Sequence, residues 1–232
     1  MEKSNEDIES LFKSDNAIGK STFLTGKGIT GLVNRGNTCY ISATIQCLSN
    51  TTSFTEYLLA EFFKNDIDYE KRKKNKKSKI LTEYLALLKG MWEDNCVCNA
   101  VSFIRTFLKN YNFVQFNQED AAEAIQVLID ALHEALSYPV SITPEGVSKN
   151  NEDELEKKSI EIWGKMFGKK YSWMVENIFG QFHSQIKSSD GSYVSDSFEP
   201  FSMITVPIGE SCTTLDHCLE NEFLTDEILE GD

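Results

Sequence analysis

Apolar residues along most of the chain recur three and four positions apart, the spacing of an α-helix that buries one face. The first such pattern follows Thr38, where Ile41, Ile45 and Leu48 share a face. Ser53 and Glu56 then form a capping-box pattern, which predicts an apolar helix running through Phe63. Ile80, Leu81, Tyr84, Leu87, Leu88 and Met91 predict another amphipathic helix. Asn99 is placed to cap a third, carrying Val101, Ile104, Phe107 and Leu108. The most regular stretch is 118–136, where Ala121, Ile125, Leu128, Leu132 and Ala135 make one buried stripe. A polar loop over 139–153 leads into a further helical stretch, 154–179, which Gly164 and Gly168 are expected to break or bend.

The period then changes to two. Phe182, Ser184 and Ile186 alternate, Asp190 and Gly191 offer a hairpin turn, and 201–208 reads as a second or third strand. A short helix over 214–223 closes the pattern. Helices first and an antiparallel sheet afterwards is the order of an α+β fold. The predicted organisation is a flexible extension at 1–26, a helical part at 27–180, and the start of a sheet region at 181–232.

Composition narrows the setting. With 232 residues and 41% hydrophobic content the chain can bury one good core or two small ones. Charged residues at 25% and aromatics at 11% argue against wholesale disorder. No apolar run approaches the roughly 18 residues a membrane-spanning helix needs, so no membrane partner is expected. The opening residues, MEKSNEDIES, lack the apolar centre of a secretory signal, and the expected location is the cytoplasm or nucleus. Cysteines at 39, 47, 96, 98, 212 and 218 have no disulfide-like spacing and read as thiols in a reducing compartment. Cys96 and Cys98 are too close in sequence for a zinc knuckle and read as packing residues. No metal and no cofactor is expected.

Lys and Arg total 23 against 36 Asp and Glu, a formal charge of −13. That balance opposes gripping a phosphate backbone, so no nucleic-acid partner is expected. It favours basic partners in a salt-dependent way. The basic run 71–79, KRKKNKKSK, reads as a solvated loop between helices rather than a nuclear-import or RNA patch.

The candidate chemistry is concentrated in residues 31–50, GLVNRGNTCYISATIQCLSN. A nucleophilic cysteine acts as the thiolate, which a helix N-terminus and a nearby imidazole favour. Cys39 falls at the predicted start of a helix. Acyl transfer through a thioester also needs donors aimed at the developing oxyanion. The Asn34 side chain and the Cys39 N–H are placed to supply them. Gly31 and Gly36 permit a tight backbone and the close approach of a substrate chain.

The string Gly31, Leu32, Asn34, Gly36, Asn37, Thr38, Cys39 and Tyr40, continued by Gln46 and Leu48, resembles the cysteine box of the ubiquitin-specific proteases. Ser42 departs from it, since the family usually has asparagine there. Residues 118–123, QEDAAE, look like a second family box that opens a long helix. The stretch from Phe179 to Pro207 resembles the family's finger and palm entry. Where zinc-binding members carry a cysteine pair, residues 188–191 read SSDG, so no zinc is expected at that hairpin.

The resemblance implies a papain-like fold, a helical thumb followed by the start of an antiparallel finger and palm sheet. It implies a deubiquitinase that cleaves after the C-terminal glycine of ubiquitin, with ubiquitin or ubiquitinated proteins as partners. Cys39 would be the nucleophile and Asn34 the oxyanion donor. Gln118 and Asp120 would bind substrate, with Asp120 pairing arginines of the ubiquitin tail. In the family the general base comes from a histidine box, followed by an Asn or Asp, both downstream of the closing helix. The sequence ends at Asp232 before either, so an incomplete palm is expected, and no competent dyad from this chain alone. His133 reads as structural, His183 lies in the finger-like segment and His217 on the acidic closing helix, and none stands in the setting of the family's histidine box. The alternative implied is a catalytically inactive ubiquitin-binding fragment or pseudoenzyme.

Overall fold

Residues 27–67, 76–93, 96–111, 117–209 and 212–224 are described by a computed structural model of the chain. They divide into two compact units, one ending at Phe179 and one beginning at Gly180. The expected extension 1–26 and most of the basic run, 71–75, lie outside the described residues.

The first unit is helical. It contains β1 (Gly31–Leu32), α1 (Cys39–Ser49), α2 (Thr52–Leu59), α3 (Phe63–Asp66), α4 (Lys76–Glu93), β2 (Val97–Cys98), α5 (Val101–Tyr111), α6 (Ala121–Leu136), α7 (Asn151–Phe167) and α8 (Trp173–Asn177). α6 is the centrepiece and lies against α1, α4 and α8. Its buried face is Ala124, Leu128, Ile129, Leu132 and Ala135, whereas Ala121, expected in the stripe, is exposed. Leu128 and Leu132 are wholly buried, each contributing about 1.5–3 kcal/mol relative to exposure. Opposite them Phe54, Tyr84 and Phe103 form an aromatic seam, with the Tyr84 ring 6.3 Å from Phe54 and 5.8 Å from Phe103. The Tyr84 hydroxyl is buried there without a hydrogen-bond partner among the described residues, and burial raises its pKa well above the usual phenol value.

Several sequence expectations need correction in detail. The helix expected to run from the Ser53 capping box through Phe63 is two helices. Glu61, at φ 60°, turns the chain between them. Ser53 is not the cap: α2 starts one residue earlier, and Thr51 instead donates its hydroxyl to the Cys47 carbonyl at 3.1 Å. α4 begins at Lys76, so the end of the basic run is helical rather than loop. Ala100 precedes α5 and its carbonyl receives the Ile104 N–H at 2.9 Å, leaving Asn99 one position short of the cap. α6 starts at Ala121 rather than Gln118, because Asp120 caps it. The next helix starts at Asn151, with Asn150 as cap, and runs through Gly164 to end at Gly168. Gly164 does not break the helix. A Cβ there would stand 2.7 Å from the Ile142 carbonyl oxygen, so the glycine admits a crossing backbone.

The parallel pair β1–β2 went unread because each strand has only two residues. Gly31 N–H donates to the Cys96 carbonyl and Val33 N–H to the Cys98 carbonyl, both at 3.0 Å. Just before it, the Thr30 hydroxyl donates to the Met91 carbonyl at 2.7 Å. Trp92 is buried beside this anchor. Its indole N–H donates to the Ser49 hydroxyl at 2.8 Å, at the end of α1. Its ring covers Gly28, where any Cβ would collide at 2.5 Å.

The second unit is a hairpin followed by a helix. β3 (Gly180–Lys187) pairs antiparallel with β4 (Val194–Phe201), in register from Gly180 opposite Phe201 to Lys187 opposite Val194. Asp190 ties the turn: its Oδ1 accepts from the Ser188 hydroxyl at 2.7 Å and the Ser192 N–H at 3.0 Å, which lowers its pKa to about 2. Phe182 packs on Phe201 and on Phe223 of α9 (Leu215–Phe223), at 4.2 and 5.0 Å between ring centres. The expected strand over 201–208 is not formed. The partner strand lies earlier, where Ser, Asp and Pro between Val194 and Phe201 blur the period-two signal. Among the described residues 203–209 pair with no strand, and Ile208 is 87% exposed.

Candidate active site

The turn ahead of α1 is shaped by two consecutive left-handed residues, Gly36 at φ 84° and Asn37 at φ 51°. Glycine adopts this conformation freely and asparagine tolerates it, so both residue types are explained by the backbone. The turn is knotted by Thr38, which is buried. Asn34 Oδ1 accepts from the Thr38 N–H at 3.2 Å and the Thr38 hydroxyl at 3.0 Å. The same hydroxyl accepts from the Arg35 N–H at 3.1 Å.

Cys39 is the first residue of α1 and is exposed. It stands at the positive end of the helix, where the first N–H groups have no partner within the helix. With the Asn34 oxygen committed to Thr38, its Nδ2 is the amide group left to face a ligand. Asn34 thus sits beside Thr38, the residue before Cys39, on the same braced turn as the exposed thiol.

The base of α1 is equally braced. Gln46 donates its side-chain N–H to the Thr30 carbonyl at 2.7 Å, tying the helix to the strand that carries Gly31. Ser42, the departure from the family pattern, has its hydroxyl buried without a hydrogen-bond partner among the described residues.

α6 meets the same neighbourhood, the Thr44 hydroxyl donating to the Ala121 carbonyl at 3.4 Å. Burial, with Glu119 and Cys39 adding to it, raises the Tyr40 phenol pKa. The residues before α6 are thus within electrostatic reach of the cysteine turn. Asp120 accepts the Ala122 N–H at 2.6 Å and caps α6, while remaining exposed. Gln118 is exposed two residues before it. Capping and ligand binding are compatible for Asp120, since one carboxylate oxygen is enough for the cap.

The histidines are engaged elsewhere. His133 lies twelve residues along α6 from Ala121, about 18 Å at 1.5 Å per residue. Its Nδ1 pairs with the Ser172 hydroxyl at 2.8 Å, and burial lowers its pKa. In the second unit His183 Nε2 meets Asp196 at 2.9 Å and its ring stacks on Phe198, while His217 lies on α9. No hydrogen bond joins an imidazole to Cys39 among the described residues.

Cys98 packs against the core, but Cys96, expected to do the same, is exposed. The useful group of Cys96 is its carbonyl, which holds Gly31. Among the described residues no cluster of three His, Cys, Asp or Glu side chains forms a metal site. None of their helices is long and apolar enough to cross a membrane.

Sequence reading missed a cavity of about 820 Å³ beside the cysteine turn, bounded by residues 35–38, α5 and Asn117. Arg35, Arg105 and Lys109 line it. The available signal was the four-residue spacing of Arg105 and Lys109, which places both on one face of α5.

The chain is similar to known proteins over most of its length. The family model described as ubiquitin carboxyl-terminal hydrolase matches residues 30–210. Ubiquitin carboxyl-terminal hydrolase 2 of Homo sapiens is 30% identical over 217 residues, covering 90% of this chain and 35% of that protein. Ubiquitin carboxyl-terminal hydrolase Usp2 of Drosophila melanogaster is 30% identical over 89% of this chain and 21% of its own length. The chain thus spans about a third or less of these relatives. The solved SAGA Ubp8/Sgf11/Sus1/Sgf73 module bound to ubiquitin aldehyde superposes with a TM-score of 0.58 at 16% identity, covering 94% of this chain and 44% of that one. That likeness is one of fold, the α+β papain-like fold. With the family model covering most of the chain and the cysteine box intact at the start of α1, the chain belongs to the ubiquitin carboxyl-terminal hydrolase family, of the ubiquitin-specific protease type.

Proposed function

We propose that the chain is a deubiquitinase-family thiol hydrolase acting on ubiquitin or ubiquitinated proteins, with Cys39 as its nucleophile. The observation that carries this reading is the exposed Cys39 thiol at the start of α1, flanked by an Asn34 side chain whose oxygen is held by Thr38. Cys39 sulfur adds to the carbonyl of the C-terminal glycine of ubiquitin. The resulting oxyanion takes hydrogen bonds from Asn34 Nδ2 and the Cys39 N–H. Collapse breaks the C–N bond, the departing lysine nitrogen taking up the proton the thiol has lost, and water then hydrolyses the thioester to a carboxylate and the free thiol. Asp120 holds the basic tail of ubiquitin through charge-assisted hydrogen bonds, with Gln118 beside it.

A second reading is a ubiquitin-binding chain without turnover. It is favoured by the commitment of His133 to Ser172 and of His183 to Asp196, which leaves the general base unassigned. Ubiquitin bearing a thiol-reactive C-terminus separates failure of recognition from failure of turnover. A covalent mass shift in the parent and none in Cys39→Ala supports a ubiquitin groove with a reactive thiol. No shift from folded parent protein would remove the enzymatic reading, and retained noncovalent ubiquitin binding would then leave the second. Hydrolysis of a ubiquitin-tail substrate by the purified chain would remove the second.

A further inference from the structure

The cavity beside the cysteine turn has a charge opposite to that of the chain around it. Among the described residues its charged lining is Arg35, Arg105 and Lys109, with no carboxylate, in a molecule of formal charge −13. None of the three is in a salt bridge or a side-chain hydrogen bond among the described residues. Arg105 and Lys109 are one helical turn apart, so their like charges repel unless an anion lies between them. Asn37, Asn99 and Asn117 add neutral amides to the wall. Its size, about 820 Å³, falls within the roughly 300–1,000 Å³ range of ligand-binding clefts.

Position and sign together select an occupant. The lining includes residues 35–38 and Tyr40, the neighbours of Cys39 in sequence though not Cys39 itself, so an occupant lies beside the turn that carries the thiol. A substrate of the proposed reaction presents two chains to the thiol: the ubiquitin tail on the acyl side and the modified polypeptide on the amine side. The tail is basic, and three cations repel it. The polypeptide carrying the lysine has no such restriction.

We propose that the cavity is a leaving-group subsite that takes acidic residues flanking the ubiquitinated lysine. The two guanidinium groups offer planar forks matched to carboxylates, and Lys109 supplies a point charge. The subsite selects among substrates by the sequence around the modified lysine, a choice that ubiquitin itself cannot carry. It rests on the reading of Cys39 as the nucleophile in a deubiquitinase.

The test uses ubiquitin joined through a thiol-reactive alkene to short peptides with glutamate, serine or lysine flanks, alongside a ubiquitin probe carrying no peptide. The rate of Cys39 labelling is read by mass spectrometry. The glutamate probe is expected to label roughly 10-fold faster than the serine probe at low salt, the ratio shrinking as salt is added. In Arg105→Ala/Lys109→Ala that ratio falls to about one, and in Arg105→Glu/Lys109→Glu the lysine probe becomes the faster. Equal rates for all flanks, with the peptide-free probe still reacting, overturn the subsite and leave the deubiquitinase reading standing. So does a glutamate preference that persists in both variants. An oligonucleotide that blocks labelling more strongly than free glutamate peptide, through the same residues, overturns the peptide assignment. No labelling by any probe overturns the deubiquitinase reading and the subsite with it.

Discussion

The Asn34 oxygen closes the turn through Thr38, and in the proposed mechanism the amide nitrogen serves the reacting carbonyl. Asn34→Asp keeps an acceptor for Thr38 but loses the donor. It is expected to weaken capture of ubiquitin aldehyde on the order of 10²-fold while the melting temperature stays near the parent value. Unchanged aldehyde affinity by calorimetry would place the oxyanion elsewhere. His133 gives a pH signature. Burial and the charge of Lys170 lower its folded pKa below the usual 6.5, against the opposing pull of Glu134. Above 6.5 both folded and unfolded forms are neutral there, and the full contribution is present. As pH falls below 6.5 the unfolded chain takes up a proton that the folded one resists, so stability is lost. The melting temperature should fall between pH 7.5 and 5.5, and fall less in His133→Gln. The turn from Asn34 to Cys39 was legible in the sequence because it is local, its glycine and asparagine suited to left-handed backbone. Arg35, Arg105 and Lys109 were not, because only packing brings α5 beside that turn.

The ends of helices carry most of the differences between sequence pattern and fold. α6 was legible from its apolar stripe, but its start was not, since Gln118 and Glu119 are as compatible with a helix as with the approach to one. The Asp120 cap decides it. Asp120 also offers a clean separation of roles. Asp120→Ala removes the cap and is expected to cost about 0.5–2 kcal/mol of stability. Asp120→Asn restores the cap, so its melting temperature should approach the parent's. If Asp120 binds the ubiquitin tail, the asparagine variant should still bind ubiquitin weakly. Equal ubiquitin affinity in parent and Asp120→Asn would leave Asp120 a capping residue alone. β4 was misplaced for a comparable reason: a strand with Ser, Asp and Pro on it does not announce itself, whereas the apolar 203–208 stretch does.

At the scale of the whole chain the two units are unequally built. The first buries a continuous core from Tyr40 to Met174, while beyond Gly180 only Phe198 and Cys218 are buried hydrophobic residues among those described. A two-stranded hairpin is marginal on its own in water. Amide hydrogens of β3 and β4 are therefore expected to exchange with solvent well before those of α1 and α6. Equal protection across the two units by mass spectrometry would mean that the hairpin draws stability from contacts beyond its own. Ile186 and Val194, on opposite faces of the hairpin, and Ile208 are each at least half exposed, which predicts concentration-dependent association. The α+β class was legible from the order of periodicities alone. The division at Gly180 follows that change of period, because helices and hairpin bury their apolar residues separately.

The contact between Trp92 and the cysteine helix has an optical consequence. The indole donates to Ser49 at the far end of α1 and lies flat on Gly28, shielded from water. Its emission maximum is set by that burial, so any ligand that shifts or tilts α1 should redden or quench it. Occupancy of the Cys39 end can then be followed in unlabelled protein, with Trp92→Phe identifying its share of the signal.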